Sequence, residues 1–167
     1  MGTERIATLN VRPDIRSRIV EHIRVRADQL VPHPENTRGP DDPFQVSETT
    51  ASLEGIGQVA ELIARHWRNG QYQLIDGHLR AGIAGDRLID VGIVDLDDDE
   101  ARKAILALNQ LAQLRNTDAA LLAALAQQVN EATGLEGTWL EGTGLDEARL
   151  AELLAKAESP RPPEDFP

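Results

Sequence analysis

Gln73-Leu74-Ile75-Asp76-Gly77-His78-Leu79-Arg80-Ala81 is the stretch that decides the fold. Its first residues form a short apolar run, the pattern of a buried strand. Gly77 supplies a turn, and Leu79 to Ala84 carries the residues of a short helix that ends near Gly85. The start of a helix presents unpaired backbone N–H groups and a positive partial charge. A strand–Gly–helix junction that also carries His78 and Arg80 has the parts of a phosphate cradle. The same residues also fit a plain glycine turn with a solvated Arg and a His that caps or packs.

Moving outward, Asn69-Gly70 predicts a β-hairpin, with strands at Val59–Trp67 and Tyr72–Ile75. Trp67 and Tyr72 are then expected to pack as a cross-strand pair. Upstream, Ile23 and Val25 alternate with Arg24 and Arg26, a half-buried strand pattern from Glu21 to Arg26. Leu30 to Pro40 contains three prolines and reads as an extended loop. Val46 to Ile56 reads as a helix with Ser47 as N-cap. Downstream, Ile89 to Leu96 is a buried strand, and Asp97-Asp98-Asp99-Glu100 opens a helix to about Leu114. That acid run complements the helix dipole and is also the one candidate metal cluster. A further helix, capped by Asn116 or Thr117, runs to about Ala132, and a last one covers Asp146 to Ala157. Leu121, Leu122, Leu125 and Val129 are spaced as an apolar helical face. The predicted organisation is an arm (1–20, with one helical turn between Ile15 and Val20), a main domain (21–115), a helical appendage (116–158) and a disordered proline-rich tail (159–167).

Composition narrows the function classes. The chain has 167 residues, 41% hydrophobic and only 3% aromatic, so its core must rely on Leu, Ile, Val and Ala. It contains no Cys, which excludes disulfides, thiolate metal sites and a thiol nucleophile. No apolar run approaches the roughly 20 residues that span a bilayer, and no signal-peptide pattern follows Met1. A soluble cytoplasmic protein is expected. The net charge is −11, yet residues 1–38 carry seven Arg against five acids. Phosphate neutralisation dominates nucleic-acid affinity, so the acidic body argues against non-specific DNA binding. Any DNA contact would use the Arg-bearing N-terminal segment.

The order strand, Pro-rich loop, helix, hairpin, Asp-Gly-His-x-Arg, helix, strand, helices resembles the N-terminal domain of ParB partition proteins and their relatives, which share a fold with sulfiredoxin. The resemblance spans roughly Ile23 to Leu114. Leu30 to Arg38 matches the family's first box, a Pro/Asn-rich loop ending in Arg. Asp76 to Arg80 matches the second, which is Gly-His-x-Arg in many phage and prophage relatives. Ala104 to Leu114 matches the third. Thr143-Gly144-Leu145-Asp146 resembles the end of ParB-like domains found beside phage DNA methyltransferases. The implied fold is α+β, a small mixed sheet with flanking helices plus a helical appendage.

The resemblance implies a nucleotide-phosphate site: CTP with magnesium in partition proteins, ATP in sulfiredoxin, and phosphoryl transfer in free-serine kinase relatives. Nuclease activity is attributed to other members. By position, Arg38, Gly77, His78 and Arg80 would contact phosphate, with Asp76, Asn36 and Asn109 in support. Arg38 otherwise pairs with Asp41 or Asp42. His33 shares the first-box loop. Glu35 resembles the carboxylate base of the kinase relatives, and His78 is the other candidate catalytic group. Asp76 would orient His78, hold a cation or cap the helix. Three departures matter. Sulfiredoxin chemistry needs a Cys. The partition proteins' Glu-Asn pair, whose carboxylate helps hold magnesium, is Leu108-Asn109 here, and their following Arg falls near Ala112. The two helices after Leu114 are too little for a helix-turn-helix and dimerisation region. The leading expectation is a nucleotide-binding module in a DNA-linked process (partition, regulation or DNA modification) of a mobile element or host. The alternatives are a phosphotransferase or nuclease of the same fold, and a scaffold that binds a protein or a second copy through its C-terminal helices.

Overall fold

A computed structural model describes residues 12–36, 41–114, 118–133 and 141–158. Five strands form one mixed sheet: β1 (Ile19–Arg26), β2 (Leu30–Val31), β3 (Leu62–His66), β4 (Tyr72–Asp76) and β5 (Leu88–Val94), in the order β1-β5-β3-β4-β2. β1 lies antiparallel to β5 and β3 antiparallel to β4, while β3–β5 and β2–β4 are parallel. Five helices accompany it: α1 (Pro43–Gly55), α2 (His78–Ala84), α3 (Asp98–Gln113), α4 (Ala119–Thr133) and α5 (Glu147–Glu158). This is the α+β architecture expected from the sequence.

The central strands β3, β4 and β5 carry buried residues on both faces. Leu62, Ala64, Leu74, Val91 and Ile93 join Ala81 and Ala84 of α2 in one apolar cluster. Ile75 and Val94 join Ala101 and Ile105 of α3 in a second. Leu74 and Ile75 are consecutive yet belong to different clusters, because successive strand side chains point to opposite faces. A strand covered by helices on both sides therefore reads as a continuous apolar run. β4 thereby carries the Asp76–Arg80 junction out of the most buried part of the molecule.

Several local expectations change. Residues 15–18 make no helical turn, and Ile19 and Val20 already belong to β1. Leu30 and Val31, read as loop, pair with Tyr72 and Gln73 as an edge strand. Ser47 is not the cap of α1. Asp42 is, its carboxylate accepting from Phe44 N–H at 3.3 Å, with Pro43 at the first helical position. The hairpin closes with Trp67 N–H donating to Gln71 O at 2.8 Å, so its loop is Arg68–Gly70, three residues rather than two. That one-residue change in register sets Tyr72 opposite His66, with ring centroids 5.2 Å apart. Trp67 instead lies against the guanidinium groups of Arg65 and Arg68, at 4.6 and 5.2 Å.

The acid run that opens α3 is committed to the fold, not arranged as a metal cluster. Asp97 and Glu100 form a capping box. Glu100 also accepts two bonds from Arg18, at 3.0 and 2.9 Å, and Arg18 reaches Asp95 at 2.6 Å. Arg18, and then the Asp97 N–H, hold the Glu100 carboxyl down to about 2. Asp98 pairs with Arg65 at 2.8 Å and Asp99 with Arg102 at 3.1 Å. Among the described residues no group of acids and histidines has metal-binding geometry.

α4 and α5 pack chiefly on each other. Ala123, Ala126 and Leu153 are buried, whereas Leu121 and Leu125 are exposed. The apolar stripe read from α4 is therefore not its packing face. Asn116 and Thr117 lie outside the described residues, and Asp118 caps α4 by accepting from the N–H groups of Ala120 and Leu121. The 159–167 tail also lies outside them.

Candidate functional site

The second box sits where β4 hands over to α2. Gly77 is the residue before the helix, at φ +97°. A Cβ there would lie 2.5 Å from Leu62 Cγ and 3.3 Å from an Arg80 terminal nitrogen. Glycine is required at this turn by packing against the core as well as by its backbone angle. Its side-chain-free surface faces Leu62, so the need for glycine does not itself imply a ligand.

His78, the first residue of α2, joins the two boxes. Its Nε2 accepts the backbone N–H of His33 at 3.1 Å. That ring nitrogen is therefore already engaged as an acceptor. That occupies the nitrogen a general base would use. Asp76 does not orient this ring. Its carboxylate lies 3.4 Å from Arg80, and Gly77, not Asp76, holds the N-cap position, without a side-chain cap.

The described part of the first-box loop is pinned at two points. His33 is buried, and its Nδ1 accepts the N–H of Glu35 at 3.0 Å. Burial, aided by the nearby Arg65 charge, pushes the His33 ring below its ordinary value. Glu35 is committed to Arg102 on α3, at 2.8 Å. Its carboxylate thus ties the loop to α3, an assignment the sequence did not suggest. Arg38 lies outside the described residues.

His78 and Arg80 line different cavities. A cleft of about 760 Å3 is bounded by Pro32 and Asn36 of the first box, Val46 of α1, and His78, Leu79 and Gly82 of α2. A second cavity, of about 400 Å3, lies between α1, Arg80 and the Gly142–Gly144 turn. The Arg80 guanidinium donates to Ala60 O there at 2.7 Å. Two residues apart on a helix are separated by about 200°, so one ligand can meet both side chains only across the start of α2. Asn109 lies on α3, half-buried, and lines neither cavity.

Arg65 was not singled out by the sequence. It is buried, and its guanidinium donates twice to Gln73 Oε1, at 2.9 and 2.7 Å. Gln73 is its direct cross-strand partner on β4. Together with Asp98 this fixes the start of α3, the helix that bears the third box, over the sheet. The one available signal was a polar residue in each of two paired apolar strands.

No family model matches the sequence, and neither does any curated protein. Among solved structures, the architecture is similar to that of a chromosome-partitioning protein. The C-terminally truncated ParB of Caulobacter crescentus, complexed with CTP-γ-S, matches 81% of this chain and 77% of its own, with TM-score 0.67 and 16% identity. The same protein complexed to the centromeric parS site matches 83% of this chain and 73% of its own at TM-score 0.45 and 16% identity. A Pnob8-like ParB-N domain matches 81% and 62% at 0.44 and 22%. The fold is ParB-like, as the first of these superpositions shows.

Proposed function

We propose that this protein is a nucleotide-binding module of ParB-like fold acting in a DNA-linked process. The observation that carries this is the 760 Å3 cleft built jointly by the first and second boxes, whose size is that of a small-ligand site. The His33–His78 bond couples its loop wall to its helix wall. In support, the similar partition protein is described in complex with a CTP analogue. Nucleoside would occupy the cleft beside Pro32 and Asn36. Phosphates would lie across the start of α2, over the backbone N–H groups of His78 and Leu79. His78 would face them from one side and Arg80 from the other, with a guanidinium forked on phosphate oxygens. Among the described residues, Asp28 and Asp41 are the charged groups of the cleft wall. The phosphate charge therefore calls for Arg38 from the loop, or for magnesium carried in with CTP or ATP.

The test is a thermal-shift titration with CTP, ATP and GTP, with and without magnesium. At about 100 times its dissociation constant a ligand adds about 2.7 kcal/mol of stability, or roughly 5–10 °C for a domain of this size. The expected result is a shift for one nucleotide that His78→Ala and Arg80→Ala both abolish while remaining folded. A shift that survives both substitutions would overturn the site, and no shift with any nucleotide would overturn the function.

A further inference from the structure

The second cavity has a feature unrelated to the family boxes. Glu48, half-buried on α1, accepts the backbone N–H groups of both Gly142 and Gly144 on one oxygen, Oε2, at 3.0 and 2.9 Å. Carboxylate bonds to backbone N–H are charge-assisted and about twice as strong as neutral ones. Beside them the turn packs backbone against backbone on α1. At Gly142, with φ +79°, a Cβ would lie 2.8 Å from Ser52 N and 3.0 Å from its Cα. Only glycine allows that approach, and the atoms opposite belong to a helix backbone that cannot rotate aside. This turn leads into α5, and α4 and α5 pack chiefly on each other rather than on the sheet. Gly142, Thr143 and Gly144 also line the cavity that Arg80 lines from the opposite wall.

We propose that Glu48 and the Glu141–Gly144 turn form a catch that holds the C-terminal helical hairpin on α1 and so covers Arg80. The catch has one charged component and one steric one, so it is released as a unit when either is lost. Because α1 also lines the first-box cleft through Val46, hairpin position and cleft shape bear on the same helix. The device does not depend on which ligand the cleft takes, and its test uses none.

The chain has no Cys, so Ser47→Cys on α1 and Lys156→Cys on α5, both exposed positions, allow clean paired spin labelling. The doubly labelled protein should give a single short distance. Glu48→Ala and Gly142→Ala should each lengthen and broaden it, while Glu48→Gln, whose amide oxygen still accepts but without the charge, should fall between the parent and Glu48→Ala. In parallel, phenylglyoxal modification of Arg80, referenced to exposed Arg24, should rise several-fold in both Ala variants. Unchanged distances in both Ala variants would overturn the catch. A change in Gly142→Ala alone would remove Glu48 from it. Altered distances with an unchanged Arg80 rate would overturn the covering role.

Discussion

Replacing Gly77 by Ala imposes two separable strains on the β4–α2 junction. The first is backbone. An L-residue at φ +97° is disfavoured by about 1–2 kcal/mol. The second is steric, since the new Cβ would stand 2.5 Å from Cγ of Leu62, a side chain with 0% exposure. Forcing a methyl into a packed core costs about 1–3 kcal/mol. The sum is about 2–5 kcal/mol, or roughly 4–20 °C in Tm for a domain of this size. Gly57 provides the control, because it has the same φ of +97° with nothing within 4 Å of its Cβ position. Gly57→Ala should therefore show the backbone part alone, about 1–2 kcal/mol. Thermal denaturation of the two variants isolates the overlap with Leu62. A double-mutant cycle with Leu62→Ala makes the attribution specific, since in that background Gly77→Ala should cost no more than Gly57→Ala. Equal Tm losses for Gly77→Ala and Gly57→Ala, or a cycle with no coupling, would refute the packing explanation and leave the backbone angle alone as the reason for glycine at position 77.

Two further outcomes follow from the polar groups around α3. Arg65→Met keeps the apolar stem but leaves buried Gln73 Oε1 without its two donors, at about 1–3 kcal/mol. Adding Gln73→Leu should recover most of that loss in a denaturant titration, and failure to recover would show that the pair is not the source. His33 should make stability sensitive to mild acid. Its folded pKa lies below the ordinary value, so as pH falls through about 6.5 the unfolded chain takes up a proton that the folded ring refuses. Stability is complete at higher pH and declines as pH falls below the ordinary histidine range. His33→Asn should flatten that slope in Tm measured against pH; an unaltered slope would place its origin elsewhere.

Much of this fold is legible in one dimension because its signals are local. The apolar run at Leu74–Ile75, the Gly77 turn and the capping box at Asp97–Glu100 each act over a few residues. Backbone conformation and helix ends answer to such neighbours. The strand–glycine–helix junction and the ParB-like order of elements could be read without coordinates for that reason. Partner choice could not. Whether Asn69-Gly70 closes a two- or three-residue loop decides if Trp67 or His66 faces Tyr72, and the register is set by the whole sheet. The proline-rich loop read as extended with no partner evident, yet a backbone bond to His78 and the Glu35–Arg102 pair tie it down across long separations in the chain.

The candidate site divides the same way. Residue types in the second box were chosen from sequence, and the chemistry of Gly, His and Arg at a helix start needs no structure to state. That His78 and Arg80 open into different cavities depends on what packs on each side of α2, which is α1, the first-box loop and a turn more than sixty residues away. Sequence alone determined that the chain would form an acidic, cysteine-free α+β domain with a phosphate-compatible junction, because composition and short-range pattern dictate those properties. Only the tertiary structure decided which polar groups are already committed to one another. Glu35, Asp76, His78 and the four acids at the start of α3 all looked available in the sequence, and each proved to have a partner. The partners, Arg18, Arg65 and Arg102 among them, reach these groups from elements far away in the chain or from the next helical turn, and no local pattern encodes which cation arrives.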